Sequence, residues 1–189
     1  MKKKVLASFL ILSVIFLSLL VMILPSYFQG DLSRASIQKE VQLPLLLNDK
    51  KDIALVLFGY AGCVDICTPR LSSLATYYKS LSPSIRKRVS VEFFDISIPI
   101  NQDLPTQFAS FFHPDFKGIF LPQKLLRKYT KAFDVYFSRT LMDTTQFNHS
   151  ANLYLVQKKQ GKKIIRYIYN SFPYDFKQID LDLQGVLDE

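Results

Sequence analysis

The segment that decides the fold is Ile53–Pro69, with the sequence IALVLFGYAGCVDICTP. Its first six residues form a continuous apolar run, which is typical of a strand buried on both faces of a sheet that helices cover. Gly59 and Gly62 then open a loop. Thr68 followed by Pro69 is the pattern of a helix N-cap with proline at the first helical position. The segment therefore predicts a strand, a loop that contains two cysteines, and a helix.

Downstream of this segment, strand and helix patterns alternate along the chain. The predicted elements are the helix that ends before Pro83, a strand over Val89–Ile98, helices over Gln102–Phe112 and Gln123–Phe133, a connecting segment over Lys117–Leu121, a hairpin of Ala151–Val156 and Lys163–Ile168, and a final amphipathic helix over Phe176–Leu187. A central sheet with helices on both faces is the economical way to pack such a series. The sequence therefore predicts an α/β fold.

Upstream, the chain has the pattern of a membrane anchor. Lys2–Lys4 precede the uncharged apolar run Val5–Leu24. Twenty helical residues rise about 30 Å, which is the thickness of the hydrocarbon core of a bilayer. The run is longer than the apolar part of a signal peptide, and Pro25–Phe28 is a poor cleavage site. We therefore predict one retained N-terminal transmembrane helix within residues 1–24, a linker over 25–40 and a domain over 41–189.

The lysines set the predicted orientation, because positive charge flanking a membrane span stays in the cytoplasm. The domain is then expected outside the cytoplasm. The chain shows no Arg/Ser-rich leader, which favours a bacterial inner (plasma) membrane, with the domain on the periplasmic side. The formal net charge of +8 is dispersed apart from Arg86–Arg88 and Lys158–Lys163, and no aromatic residues are arranged beside these clusters as a stacking platform. Nucleic-acid binding is therefore not expected.

Cys63 and Cys67 are the only cysteines. They lie at the end of a predicted strand and the start of a helix, where α/β folds place their ligand sites. A helix N-terminus lowers the pKa of nearby thiols and favours thiolates. As a structural disulfide the pair would close a short loop and stabilise the fold little. The spacing suits either redox chemistry or the binding of one soft metal ion, and thiolate chemistry does not choose between them.

A third ligand beside the two cysteines would favour metal binding over redox chemistry. Structural zinc needs four protein ligands, whereas Cu(I) is satisfied by two thiolates and an imidazole. The chain has two histidines. His149 directly precedes a predicted strand, and a loop entering the sheet beside the cysteines could bring its ring over the thiols, but the residues alone do not select it as a ligand. His113 follows a predicted helix and is expected to have a structural or surface role.

Four stretches of the sequence resemble the Sco/SenC family, the thioredoxin-like copper proteins of cytochrome c oxidase assembly. They are LVLFGYAGCVDIC up to Cys67, Asp103–Pro105 with Phe116–Ile119, Pro122–Tyr136, and Asn148–Ala151 with Leu153–Leu155. The resemblance extends from about Val41 to the end of the chain. The sequence departs from the family pattern at Val64, at Thr68, at Asn148, and at Pro99–Gln102, where flanking charges are lost. These departures bear on partner choice and redox tuning more than on the ligands.

The resemblance implies a thioredoxin-like fold that binds one copper ion through Cys63, Cys67 and His149. Asp65 would orient the loop or tune the thiolates, although a turn residue that bonds its own backbone is an equal alternative. The implied partner is a copper-accepting oxidase subunit with a dinuclear copper centre, or another thiol protein. The implied function is that of a membrane-anchored metallochaperone.

Two alternatives remain open at this point. The domain could be a thiol-disulfide oxidoreductase in which Cys63 and Cys67 cycle, and that would be its activity if it is an enzyme. It could also be a non-catalytic binding or sensing module with a static disulfide. The sequence does not fix the oxidation state of the copper, its donor and acceptor, or the oligomeric state.

Overall fold

The structure is a computed structural model that describes residues 12–21, 33–47, 50–97, 101–139 and 147–189. The strands are β1 (Arg34–Val41), β2 (Ile53–Gly59), β3 (Val89–Asp95), β4 (Lys117–Phe120), β5 (Phe137–Arg139), β6 (Phe147–His149), β7 (Leu153–Lys159) and β8 (Lys162–Tyr169). The helices are α1 (residues 12–21), α2 (Cys67–Ser80), α3 (Pro83–Arg88), α4 (Leu104–Phe112), α5 (Gln123–Phe133) and α6 (Phe176–Leu187).

Six strands form one mixed sheet in the order β1-β8-β7-β2-β3-β4. β2, β3 and β4 run parallel, and β7, β8 and β1 continue the sheet through antiparallel pairs. β5 and β6 pair with each other in a separate ribbon. Every residue of β2 and β3 is buried, as the continuous apolar runs predict. The α/β class and the β7–β8 hairpin are confirmed.

The two faces of β2 belong to two apolar cores. Ile53, Leu55 and Leu57 pack with residues of α2 and α6 on one face. Ala54, Val56 and Phe58 pack with α5 and with the turn Leu43–Leu47 on the other. Because successive strand residues point to opposite faces, a central strand in this fold must be apolar throughout. Helices on both faces of the sheet were the prediction, and they are confirmed.

Several predicted boundaries are wrong. β1 begins at Arg34, within the stretch 25–40 that we assigned to a linker, so the sheet begins before residue 41. As an edge strand it keeps polar residues on one face, and its composition therefore resembles that of a linker. The predicted connecting segment at Lys117–Leu121 contains the edge strand β4. Pro83 ends the preceding helix as predicted, but it also begins α3.

The predicted anchor lies largely outside the described residues. Residues 12–21 of the apolar run are helical, and their side chains are exposed. Among the residues that the structure describes, no helix has both the length and the apolar character needed to cross a bilayer. Residues 1–11 and 22–32 are not described, so the transmembrane helix stays a prediction.

Candidate metal centre

The cysteine loop is a short turn closed by hydrogen bonds to Cys63. The amide of Cys63 donates to the carbonyl oxygen of Tyr60 at 3.1 Å, and its own carbonyl accepts from the amide of Thr68 at 3.2 Å. The Thr68 hydroxyl donates to the same oxygen at 2.9 Å. Helix α2 begins at Cys67 rather than at Pro69, so the prediction of Thr68 as the N-cap is wrong. Its hydroxyl donates to the loop instead of accepting from the helix.

Beginning the helix at Cys67 places both sulfurs at its N-terminus. The amide of Cys67 donates to Sγ of Cys63 at 3.3 Å. Both cysteines are buried and neither is in a disulfide. The unsatisfied amides and the partial positive charge of a helix N-terminus favour negative charge there. The local structure therefore holds a thiolate at Cys63 beside a second thiol.

Gly59 makes room for the second sulfur. A Cβ atom at this position would lie 2.3 Å from Sγ of Cys67 and 2.9 Å from the ring of Phe93. Both distances are shorter than non-bonded atoms tolerate, so any larger residue would displace the cysteine or the ring. The glycine that ends β2 is therefore required by the close approach of Cys67.

His149 completes a cluster of three ligand atoms. It ends β6, where it pairs with Phe137 of β5. Its Nε2 lies 3.9 Å from Sγ of Cys67. One ligand atom each from Cys63, Cys67 and His149 lies within 4.8 Å of the other two. Bonds of about 2.0–2.3 Å to a single ion place its ligand atoms roughly 3.5–4.5 Å apart, so the cluster fits one ion after small movements.

The imidazole is oriented by the backbone of the next residue, Ser150. Nδ1 of His149 lies 3.0 Å from the carbonyl oxygen of Ser150. A carbonyl oxygen only accepts, so Nδ1 carries the hydrogen and Nε2 of the neutral ring keeps its lone pair. That lone pair faces the thiols. The ring of Tyr60 lies edge-on to the imidazole at 6.1 Å between centroids, which covers one side of the cluster.

Arg70 ties the histidine segment to the cysteine helix, and sequence reasoning missed it. Its Nε donates to the carbonyl oxygen of Ala151 at 3.2 Å, and its Nη1 donates to that of Ile66 at 3.2 Å. Its guanidinium lies 4.8 Å from the ring centre of Phe172. A planar guanidinium can bridge carbonyls on two different segments. The only sequence signal was an arginine in the first turn of the helix that carries Cys67.

Asp95 holds the cysteine loop through hydrogen bonds, and sequence reasoning missed this residue as well. Its buried carboxylate accepts from the amide of Ala61 at 3.0 Å and from the amide of Ser97 at 2.7 Å. Burial raises the pKa of Asp95, against the opposing effect of the hydrogen bonds from Ser97 and Ala61. The residue ends β3, beside Gly59 in the parallel register. A carboxylate at the end of a buried strand was the signal that could have found it.

The two thiols differ in acidity because they share a hydrogen bond. The bond from Cys67 lowers the pKa of Cys63 against the effect of burial. The same bond, with burial, raises the pKa of Cys67. The reduced pair therefore holds one thiolate, on Cys63, and one proton, on Cys67.

The remaining candidates lie apart from the cluster. Asp65 is exposed and is not among the clustered ligands. His113 is buried at the end of α4, with its ring 4.9 Å from that of Tyr78 and 5.4 Å from that of Phe116. Its Nδ1 accepts from the amide of Asp115 at 3.1 Å. This packing agrees with the structural role that the sequence predicts for His113.

Comparisons with known proteins agree with the geometry. A family model described as SCO1/SenC matches residues 50–175. An SCO2-like protein of Rickettsia conorii is 24% identical over 136 residues, which cover 68% of this chain and only 64% of that relative. The solution structure of apo Sco1 from Thermus thermophilus aligns with a TM-score of 0.62 and 22% identity, over 80% of this chain and 91% of that chain.

A crystal structure of Arabidopsis thaliana ScoI with copper bound aligns with a TM-score of 0.61 and 16% identity, over 82% of this chain and 99% of that chain. At these identities a structural likeness shows the fold alone. The thioredoxin-like α/β fold that the sequence predicts is thereby confirmed.

Proposed function

Because the chain belongs to the SCO1/SenC family, we propose that it is a membrane-anchored copper carrier that delivers copper to a dinuclear copper centre of an oxidase. Cys63, Cys67 and His149 are the proposed ligands of one copper ion. The copper-bound relative from Arabidopsis thaliana supports copper as the cargo. The predicted anchor supports a carrier that acts at the outer face of a bacterial plasma membrane.

One observation carries the proposal: Nε2 of His149 lies 3.9 Å from Sγ of Cys67. The histidine lies 82 residues from Cys67 along the chain and belongs to a separate ribbon. A thiol pair that served redox chemistry alone would not need an imidazole lone pair beside it. Two thiolates and one neutral imidazole form a donor set that suits Cu(I) and leaves further positions open for an incoming ligand.

Copper is the cargo here, and the chain's own groups provide both binding and release. Binding requires two thiolates, so the proton on Cys67 is released when copper arrives. A thiolate of the acceptor then replaces the protein ligands one at a time, and Cys67 takes up a proton as it loses the metal. The oxidation state of the copper is unchanged throughout. His149 is half-buried on a ribbon outside the six-stranded sheet, so an incoming thiolate would displace it before the buried cysteines.

The proposed anchor would raise the effective concentration of the domain around its acceptor. A tether that confines the domain to the plane of its acceptor converts a bimolecular encounter into a local one, with an effective concentration set by the length of the linker. A carrier that exchanges ligands directly with its partner benefits from such confinement, because free copper never leaves the complex.

A second function, thiol-disulfide exchange, is favoured by a separate observation. The proton shared by Cys63 and Cys67 leaves a thiolate on Cys63, which is the form that attacks disulfides. In that case Cys63 would attack a disulfide of the partner, and Cys67 would release the reduced partner by forming the Cys63–Cys67 bond. Such a protein would reduce a disulfide of the acceptor to two thiols rather than supply its copper.

A copper titration separates these functions. The full-length reduced protein in mild detergent is loaded with Cu(I), excess copper is removed, and bound copper is counted in the parent and in His149→Gln. The matched control is His113→Gln, which makes the same change at the other histidine. We expect one copper ion per chain in the parent and the control, and a large loss of affinity in His149→Gln. Unchanged stoichiometry and spectrum in His149→Gln would contradict the carrier proposal.

The alternative has its own measurement. The reduction potential of the Cys63–Cys67 pair and its rate of exchange with a disulfide peptide are determined without copper. A low potential and rapid exchange, together with no retained copper in the parent protein, would establish the oxidoreductase. Retained copper that depends on His149 would establish the carrier.

A further inference from the structure

The first strand enters the sheet at the end that carries the cysteines. Arg34 of β1 pairs with Tyr169, which pairs with Leu153, which in turn pairs with Leu57. These four residues form one row across the sheet, two positions before Gly59. Three interstrand spacings of about 4.8 Å place the start of β1 roughly 14 Å from β2. The chain therefore arrives at the same end of the sheet as the metal centre.

This entry point is fixed by polar contacts. Nε and Nη2 of Arg34 donate to the two carboxylate oxygens of Asp182 at 2.7 and 2.5 Å. The hydroxyl of Tyr169 donates to the same carboxylate at 2.7 Å. The amide of Asn170 donates to the carbonyl oxygen of Ser33 at 2.8 Å. A bidentate pair with a buried carboxylate is among the stronger ionic contacts, so the chain is held from Ser33 onward.

The connection to the predicted anchor is short. Pro25–Ser33 comprises nine residues after the apolar run, and nine residues reach at most about 30 Å even when fully extended. The eight residues of β1 span roughly 26 Å along the sheet. If the opposite end of the sheet lay on the membrane, the linker would have to run back along that whole length. That path would use nearly all of the linker's maximal extension.

From this geometry we infer that the end of the sheet that carries Cys63, Cys67 and His149 faces the membrane. We infer further that this end docks on an integral membrane protein whose copper-accepting ligands lie close to the membrane surface. This inference rests on the anchor of the proposed function. A tether that enters beside the site limits transfer to acceptors close to the membrane surface. An acceptor held well above the bilayer is out of reach.

The side chains around the site fit a protein partner. We call Val64, Tyr136 and Phe172 the apolar rim; they are 71%, 68% and 37% exposed. Val64 adjoins Cys63 in the loop, and Phe172 stacks on Arg70. The carbonyl oxygen of Tyr136 accepts from the amide of Ser150, and the amide of Tyr136 donates to the Ser150 hydroxyl. Exposed apolar and aromatic side chains that surround a functional centre are typical of docking surfaces.

The opposite end of the sheet carries the basic clusters Arg86–Arg88 and Lys158–Lys163. Anionic headgroups attract such clusters, and that attraction opposes the inferred orientation. It is reduced by neighbouring acids: Arg88 pairs with Asp52 at 2.6 Å, Lys159 with Glu189 at 3.3 Å, and Lys162 with Glu40 at 2.9 Å. The short linker therefore decides the orientation.

Two matched serine variants measure this orientation. Ser171 follows β8 at the metal end, and Ser84 lies in α3 at the opposite end; both are exposed. In full-length protein carrying Cys63→Ser and Cys67→Ser, Ser171→Cys or Ser84→Cys is labelled with a fluorophore. The protein is reconstituted in vesicles of phosphatidylcholine and phosphatidylglycerol that contain a headgroup-labelled acceptor lipid. We expect the label at 171 to lie nearer the surface, by up to about 25 Å.

Each outcome has one meaning. A closer label at 171, with and without phosphatidylglycerol, supports the inference. Equal distances, or a closer label at 84, overturn it and leave the copper titration of the proposed function untouched. Protein that fails to float with the vesicles overturns the anchor itself, and this inference with it.

The reach to the partner is tested with spacers in the linker. Three EAAAK repeats inserted after Gly30 lengthen the tether by about 22 Å as a semi-rigid helix, whereas a Gly/Ser spacer of equal length can fold back. Copper bound per purified chain should be unchanged in both. Copper loading of the oxidase in cells should fall to the level of a deletion strain with the rigid spacer and be largely retained with the flexible one. Full loading with the rigid spacer would overturn the low-lying acceptor, and a deletion strain with normal loading would overturn the proposed function instead.

Discussion

The candidate metal centre joins two regions that are built in different ways. The cysteines lie between β2, in which all seven residues are buried, and the first turn of α2. The histidine ends a two-stranded ribbon of three residues per strand that, within the described residues, pairs with no strand of the main sheet. Contacts with the core fix the cysteine half. On the histidine half, Phe137 of β5 is half-buried against one apolar core, and polar contacts from Arg70 and Ser150 hold the rest.

This contrast explains how the proposed site would both hold and release an ion. Elements with few buried apolar contacts open locally at a lower free energy than core strands do. The cysteine half therefore stays formed while the histidine half can open. A carrier needs a donor set that is complete at rest and loses one ligand easily when an acceptor arrives. Substitutions can perturb each half separately.

The largest effect is expected from Gly59→Ala, which disrupts the packing of the cysteine half. The added methyl group would lie 2.3 Å from Sγ of Cys67, so the cysteine or the Phe93 ring must move. We expect the free energy of unfolding to fall by about 3 kcal/mol and copper binding to be lost. Urea denaturation and a copper titration measure the two effects.

Gly185→Ala is the matched control for this change. Gly185 is exposed in α6, and an added Cβ would meet no atom within 4 Å. Alanine favours a helix over glycine by about 0.5–1 kcal/mol, so this variant should be more stable and bind copper normally. If Gly59→Ala were as stable as the parent, the cysteine half would be less tightly packed than the structure shows.

A smaller effect is expected from Arg70→Met, which releases the histidine half. The methionine keeps an apolar stem but donates to neither Ala151 nor Ile66. Loss of a group that orients a metal ligand typically weakens metal binding by about 10–100-fold, while the loss in stability should be about 1–2 kcal/mol. Arg127→Met, at an exposed position of α5, should change stability by less than about 0.5 kcal/mol. Equal copper affinity in the two variants would show that Arg70 does not position His149.

The acidity of the thiols gives a third prediction, made on the reduced, metal-free protein. The hydrogen bond from Cys67 lowers the pKa of Cys63 and raises the pKa of Cys67. Cys63 should therefore remain a thiolate as the pH falls, and its alkylation by iodoacetamide should change little between about pH 5 and about pH 8. Cys67 should react far more slowly at each pH.

The unfolded protein supplies the control for this measurement. In urea both thiols should behave as ordinary cysteines with a pKa of about 8.5, and the alkylation rate should rise about tenfold per pH unit below that value. The same rise for Cys63 in the folded protein would show that the two sulfurs do not share a proton. The difference between the cysteine half and an unstructured pair would then disappear.

The sequence predicted the core of the fold because the central strands and long helices have strong local patterns. The helix Phe176–Leu187 was predicted with its observed bounds, and so was Gln123–Phe133. The edge strands β1 and β4 were missed. An edge strand needs only one buried face and short pairing, so its residues resemble those of a linker or a loop.

The candidate site was predicted in part, for a related reason. Two cysteines four residues apart at a strand–helix junction can be found locally, whereas His149 was selected only through a family resemblance. Its place on a ribbon strand, rather than in a loop, depends on pairing between β5 and β6. Arg70 and Asp95 were missed because their contacts, to Ala151 and Ala61, exist only in three dimensions. No local pattern encodes such contacts.

The smallest effect is expected from Asp65→Asn, which tests whether the charge between the cysteines belongs to either half. Asp65 is exposed, and an exposed carboxylate interacts weakly with its neighbours through water. Asparagine keeps the size and the turn preference of the residue. We therefore expect a change of less than about 0.5 kcal/mol in the free energy of unfolding and a copper affinity close to that of the parent. A loss approaching that of Arg70→Met would mean that Asp65 turns toward the thiolates when copper is bound, and the cysteine half would then be less rigid than its packing indicates.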